Sequence, residues 1–388
     1  MILIKNAQLY TMDSFNGERG YVALKNGKID AVGQGEPEGY TDYRVIDAKG
    51  KIVTPGLVDP HCHIGVMEEG IQFEGNDTNE MTNPVYPELR GLDSVYPHDR
   101  AFAYAAKSGV TTVVTGPGSA NVIGGTFTAI KTVGKTVDEM MLKEEVCMKM
   151  ALGENPKRVY SQQKKAPSTR MASAALMREW LQRAKEYRAQ LKAHEAGEEG
   201  ANKPNFDMKL HSLMRVFDGM LVKIHAHRSD DIMTAIRIAK EFDLNVTIDH
   251  ATEAYLIPEA VKESGVPIII GPTLGYSSKY ELIHRSFTAG RVLEQFDIDF
   301  ALMTDHPVVT VDVTMVHAGL YVKEGLSRQK ALEAVTINAA RLNGIDDRVG
   351  SLSQGKDADV VMWDGDPFDL MTRPALVVLD GRVVHEVS

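Results

Sequence analysis

Val53-Thr54-Pro55-Gly56-Leu57-Val58-Asp59-Pro60-His61-Cys62-His63-Ile64-Gly65 is the stretch whose reading decides the fold. Pro55 and Gly56 punctuate a turn, and Leu57-Val58 opens a strand too apolar for solvent. Two histidines follow with one residue between them. Side chains at i and i+2 of a strand share a face, so His61 and His63 point the same way. Both imidazoles then reach one ion at the strand's C-terminal end, where a closed parallel barrel opens into its loops. Cys62 points to the opposite face and reads as a small core residue. A His-x-His on a surface strand would bind nothing, so the rest of the chain has to decide.

The 388 residues suffice for a full (β/α)8 barrel and a smaller domain, and 43% hydrophobic residues suffice for a sizeable core. A net charge of −10 sets aside nucleic acid and anionic membrane as partners, because neither finds a basic stripe to meet it. Met1-Ile2-Leu3-Ile4-Lys5 runs at once into Asn6 and polar turns, so no signal peptide is expected. No apolar run approaches the ~18 residues that span a bilayer. Cys62 and Cys147 are too few for a disulfide framework and fit a reducing cytoplasm. The expectation is a cytoplasmic enzyme acting on a small-molecule substrate, with a symmetric homo-oligomer as the default assembly.

Short alternating strands with turn signals fill residues 1–52: Ile2-Leu3-Ile4, Tyr21–Leu24, a hairpin turn at Lys25-Asn26-Gly27-Lys28, and Ile29–Gly33. The same grammar returns over 346–388, in Asp359–Trp363, Ala375–Leu379 and Asp380–Val384. Two β-rich ends bracketing a long middle predict one β-sandwich built from both termini. The middle, 53–345, alternates apolar runs with helical patterns, the signature of βαβ units. Candidate strands are Gly56–Ile64, Thr111–Thr115, Thr126–Lys131, Val146–Ala151, Met220–Ala226, Asn245–Asp249, Pro267–Gly271 and Asp299–Thr304. Eight strands predict an α/β fold, a (β/α)8 TIM-type barrel. A charged helical stretch, about 167–215, reads as a solvated insertion, and the long loop Glu68–Tyr96 as a cover for the site.

The remaining chemistry falls at strand ends, where this architecture puts active sites. Met220–Ala226 runs into His225 and His227, Asn245–Asp249 ends at His250, and Asp299–Thr304 at Asp305. Buried imidazoles and carboxylates need partners, and one metal centre supplies a partner to all of them. After the seventh strand, Tyr276 and Lys279 offer contacts to an anionic or polar substrate group.

Read together, an apolar strand with Asp-Pro and His-x-His, then His225, His250 and Asp305, resembles the amidohydrolase superfamily over nearly the whole chain. Lys223-Ile224-His225-Ala226 and Thr304-Asp305 resemble its imidazolonepropionase-related branch. The resemblance implies that His61, His63, His225, His250 and Asp305 are metal ligands. Many members carry on the fourth strand a carboxylated lysine that bridges two metals, and others a glutamate. Here Glu154, just past the strand end and already anionic, is the preferred bridge over Lys157, with Lys131 and Lys149 more remote. Imidazole and carboxylate suit one or two zinc ions per chain, with Mn, Fe or Co as substitutes. The implied reaction is attack of a metal-bound hydroxide on a cyclic or linear C–N amide bond, with Asp305 as general base. His250 either binds the second metal or polarises the substrate carbonyl, and His227 packs behind the ligands or touches substrate. The alternatives are a lactonase or phosphotriesterase-type hydrolase, and a catalytically silent scaffold similar to the dihydropyrimidinase-related proteins.

Overall fold

A computed structural model describes residues 1–387. The chain opens with strands β1 (Ile2–Tyr10), β2 (Asn16–Lys25), β3 (Lys28–Gln34), β4 (Arg44–Asp47) and β5 (Ile52–Pro55). Asn26 and Gly27, at φ 53° and 77°, make the turn between β2 and β3, and positive φ at both central residues is what a tight hairpin requires. β1 pairs antiparallel with β2 along one edge and parallel with β4, then β5, along the other.

From Gly56 the chain enters the barrel: β6 (Leu57–Cys62), β7 (Val110–Thr115), β8 (Ile123–Lys131), β9 (Met141–Ala151), β10 (Leu221–Ala226), β11 (Val246–His250), β12 (Ile268–Ile270) and β13 (Phe300–Leu302). These fall on the eight strands read from the sequence. The regular βα repeat breaks at β8, which runs antiparallel to both neighbours. Only residues 116–122 separate β7 from β8, and a parallel return needs a crossover of about a dozen residues or more. Backbone hydrogen bonds from His63 N to His306 O (2.9 Å) and from Asp305 N to His61 O (3.2 Å) join the first and last barrel segments. They also seat Asp305 against His61.

The chain then returns to the first sheet through β14 (Val360–Trp363), β15 (Pro374–Leu379) and β16 (Arg382–Glu386), with Val360 opposite Pro55 of β5. Both termini thus share one core, in which Ile4, Leu9, Val22 and Val53 meet Val360, Leu376 and Val378. Where this layer meets the barrel, buried Lys131 lies 2.7 Å from Asp359, 3.0 Å from Asp357 and 3.3 Å from Asp380.

Helices cover the barrel at Arg100–Lys107, Ser229–Phe242, Pro258–Ser264, Thr288–Gln295 and Thr314–Lys323. The stretch read as a solvated insertion is largely the helix Arg170–Glu195, capped by the Thr169 side chain on Ala172 N. It is less solvated than expected. Ala174, Met177, Leu181, Ala184 and Tyr187 form a buried stripe, and four of them belong to the barrel's main hydrophobic core. No helix among the described residues is long and apolar enough to cross a membrane.

Candidate metal centre

The strand ends bring two groups of ligand-type side chains to one mouth of the barrel: His61, His63 and Asp305, and His225, His227 and His250. Within each group the ligand atoms lie within 4.8 Å of one another. The groups adjoin, with the His61 and His250 rings 5.4 Å apart.

Backbone and buried acceptors fix the rings. His63 Nδ1 lies 2.8 Å from Gly116 O and His250 Nδ1 lies 3.0 Å from Gly271 O. A carbonyl only accepts, so each Nδ1 carries a proton and Nε2 is the nitrogen turned toward the site. His61 Nδ1 donates likewise to Asp249 Oδ2 at 2.5 Å. Asp249 is itself buried between His61, the Lys223 ammonium at 3.3 Å and the Thr247 hydroxyl at 2.7 Å. Burial would raise its carboxyl, but Lys223 and His61 outweigh that and hold it well below the usual range, as an acceptor. An acidic or carbonyl partner behind a ligating imidazole is the arrangement that orients metal-binding histidines. Burial also pushes His61 down to about 3, helped by Lys149, and holds His225, His227 and His250 well below the ordinary value. All four of these imidazoles are neutral at pH 7, the form in which an imidazole can bind a metal.

Asp305 Oδ1 is 3.2 Å from His63 Nε2 and 3.7 Å from His61 Nε2. Burial would raise the Asp305 carboxyl, but His63, His61 and Lys149 prevail and hold it at about 2. Asp305 and His250 both have left-handed backbones, φ 55° and 72°. Such conformations cost of order 1–3 kcal/mol for non-glycine residues and gather at functional sites.

The fourth strand departs from expectation. Glu154 begins a helix, Glu154–Gln162, and its carboxylate turns toward Arg158, 3.9 Å away, outside both ligand groups. It follows the end of β9 by three residues, so it belongs to the helix's first turn rather than to the inward face of the strand. Lys157 lies on the same helix. Lys131 is tied to the carboxylates under the terminal sheet. Lys149, in contrast, is fully buried on β9, its Nζ 3.2 Å from His61 Nε2 and 5.5 Å above the Phe127 ring. Burial drives its amine down to about 8, against the pull of Asp249 and Asp305.

Above these side chains lies a cavity of about 620 Å³. His63, His225, His227, His250 and Asp305 reach it, as do Arg158, Lys279, Arg285 and Tyr276. Tyr276 is largely exposed at the rim. Asn76, Thr78 and Asn79, from the loop read as a cover, line it as well. Sequence reasoning passed over Asp249 and Glu281. Asp249 ends the apolar run of β11 directly before His250, a position where a buried carboxylate needs a partner; Glu281 sits in the three-residue 3-10 helix Tyr280–Leu282, too short to carry a periodic signal.

A profile of the Amidohydrolase family matches residues 52–387. The amidohydrolase tasK of Hapsidospora irregularis is 30% identical over 94% of this chain, which spans 39% of that protein's length. An imidazolonepropionase of Streptococcus sanguinis is 25% identical over 91% of this chain and 85% of its own. A crystal structure of an amidohydrolase from Thermotoga maritima superposes with a TM-score of 0.94 at 39% identity, covering all of both chains. The chain belongs to the amidohydrolase family of hydrolases.

Proposed function

We propose that the protein is a divalent-metal-dependent hydrolase that cleaves the C–N bond of a small amide, cyclic or linear, bearing a carboxylate. The observation that carries this reading is the meeting of imidazoles from β6, β10 and β11 with the Asp305 carboxylate at the floor of one cavity. Zinc suits that donor set best, with Mn, Fe or Co as substitutes. A divalent cation held there supplies Lewis acidity and an activated water.

The chain's own groups do the rest. Asp305 is ionised at neutral pH, so its carboxylate accepts the proton of the attacking water and delivers it to the departing nitrogen. His250 has its Nδ1–H committed to Gly271 O and offers only a lone pair on Nε2, which favours a ligand over a donor to the substrate carbonyl. On the fourth strand the reading is Lys149 rather than Glu154. Its ammonium first loses one proton; the free amine's lone pair then forms the N–C bond to CO2 as one C=O pair moves onto oxygen, and a second proton leaves the nitrogen, so that a charge that would repel a cation beside His61 becomes an anionic oxygen donor.

The substrate class rests on charge. Arg158, Lys279 and Arg285 line the cavity, and Asp305 is the single carboxylate among the described lining residues. A carboxylate on the substrate finds cations there and little to repel it. Similarity to an imidazolonepropionase favours the cyclic arm. The test is hydrolysis of a panel of N-acyl amino acids, dipeptides, carboxylated cyclic amides, a lactone and a phosphotriester. Cleavage of a carboxylated amide that chelation abolishes and zinc restores supports the reading. Turnover confined to the lactone or phosphotriester, or turnover indifferent to chelation, contradicts it.

A further inference from the structure

Three buried side chains at the second ligand group leave four polar atoms without a hydrogen bond among the described residues: both ring nitrogens of His225, Nε2 of His227 and Oε1 of Glu281. His250 adds a bare Nε2. Buried polar atoms are almost always paired, so a cluster of orphans in one spot points to a missing partner. The nearest candidate within the chain fails. Lys279 Nζ is 3.6 Å from Glu281 Oε1, beyond hydrogen-bond reach.

The geometry aims these atoms at one another. Glu281 Oε2 accepts from Glu154 N at 3.0 Å, which leaves Oε1 toward the histidines, 3.6 Å from His227 Nε2 and 3.9 Å from His225 Nε2. Gly153 makes room for that carboxylate, since a Cβ there would lie 2.9 Å from Oε2. His227 Nδ1 is 2.8 Å from the Thr252 hydroxyl, which fixes the ring with Nε2 toward Glu281. The three rings stand with centroids 4.2–4.7 Å apart. Four donors about 2.0–2.2 Å from a tetrahedral ion lie about 3.3–3.6 Å from one another. The Glu281–imidazole separations sit at or just above that edge length, and the three imidazoles offer ligand atoms within 4.8 Å of one another.

We propose that His227 and Glu281 join His225 and His250 as direct ligands of a divalent cation, giving a three-histidine, one-carboxylate site separate from the one at His61, His63 and Asp305. Part of this rests on the metal-dependent reading above; what is added is that His227 and Glu281 bind metal rather than substrate or a structural partner. In chelator-stripped protein, where Lys149 is a free amine, four protein ligands make this the tighter of the two positions against the three at His61, His63 and Asp305; the Lys149 oxygen donor completes the latter position only after CO2 is taken up.

The test is titration of the chelator-stripped full-length protein with Co2+ and with Zn2+, followed by metal content, by visible absorption of the cobalt form and by the metal-induced rise in Tm. Wild type should take up two ions, the tighter with the intense visible bands of four-coordinate cobalt. Glu281→Gln and His227→Gln should each lose that band and weaken the tighter site by at least tenfold while keeping the other ion; His63→Ala should do the reverse. Lys279→Ala, which removes the alternative partner of Glu281, should keep both. Melting of the stripped proteins separates misfolding from ligand loss: a variant that melts like wild type without metal and gains nothing from cobalt has lost a ligand. Two ions of unchanged affinity and spectrum in Glu281→Gln and His227→Gln overturn the proposal and leave the broader metal reading standing. A wild type that binds no divalent ion overturns both.

Discussion

Replacing Lys149 by methionine should remove metal from the centre while leaving the barrel folded. The side chain is fully buried, 3.2 Å from His61 Nε2, and burial holds its amine at about 8. At pH 7 an amine of pKa about 8 is neutral in roughly one molecule in ten, against roughly one in 3,000 for an amine at 10.5. The reactive fraction for CO2 is therefore raised by roughly 300-fold. Methionine keeps the length and apolar contact with Phe127, and Asp249 retains Lys223 at 3.3 Å, so the buried carboxylate is not stranded. We expect at least one ion lost per chain, turnover down by ~10²-fold or more, and wild-type zinc uptake that quickens with added bicarbonate. Glu154→Gln should change none of these. The assay is metal content and uptake rate on chelator-stripped protein at fixed pH, with and without bicarbonate. Full zinc content and turnover in Lys149→Met, or loss of an ion in Glu154→Gln, would refute the assignment and return the bridge to Glu154.

Asp305→Asn keeps the shape of the side chain but cannot accept a proton, so turnover should fall by ~10²-fold or more with the metals largely retained; near-normal turnover would move the base elsewhere. Arg158→Ala should raise KM about tenfold for a carboxylated amide and leave its uncharged amide analogue unaffected, measured by steady-state kinetics. Lys131→Met strands buried Asp359 where the terminal sheet meets the barrel, while Asp357 keeps Arg348 and Lys28, and thermal melts should show a loss of roughly 3–5 kcal/mol. In the same cluster burial would raise Asp357, but Arg348, Lys131 and Lys28 hold it at about 2. A carboxylate depressed in the fold stabilises above its unfolded value and loses that contribution as pH falls toward the folded one, so melting temperature should drop between about pH 4 and pH 2, and less steeply in Asp357→Asn.

Much of the architecture was legible because period-two apolar runs ending in histidine or aspartate leave few alternatives. His61 and His63 share a face by alternation alone, and the order of His225, His250 and Asp305 along separate strands is a strong signature as a set. The reversal of β8 was readable in principle, since too few residues lie between Thr115 and Ile123 for a crossover. Lys149 was harder. Its signal is a lone lysine inside the apolar run Val146–Ala151, the counterpart of Lys223, opposite which it pairs on the neighbouring strand. A glutamate just past the strand looked like the better oxygen donor, but three residues beyond β9 the chain has already turned into a helix. Glu281 carries no local signal, because what defines it is the backbone amide of Glu154, 127 residues away in sequence, that turns its carboxylate inward.

The most direct measurement is elemental analysis of the purified wild type beside His61→Ala and His225→Ala, each checked for folding by its thermal melt. The account predicts one or two divalent ions per wild-type chain, at least one lost in each variant, and hydrolysis of a carboxylated amide that falls with them. Folded variants with the wild type's metal content, or a wild type that contains no divalent ion and takes none up, would contradict it.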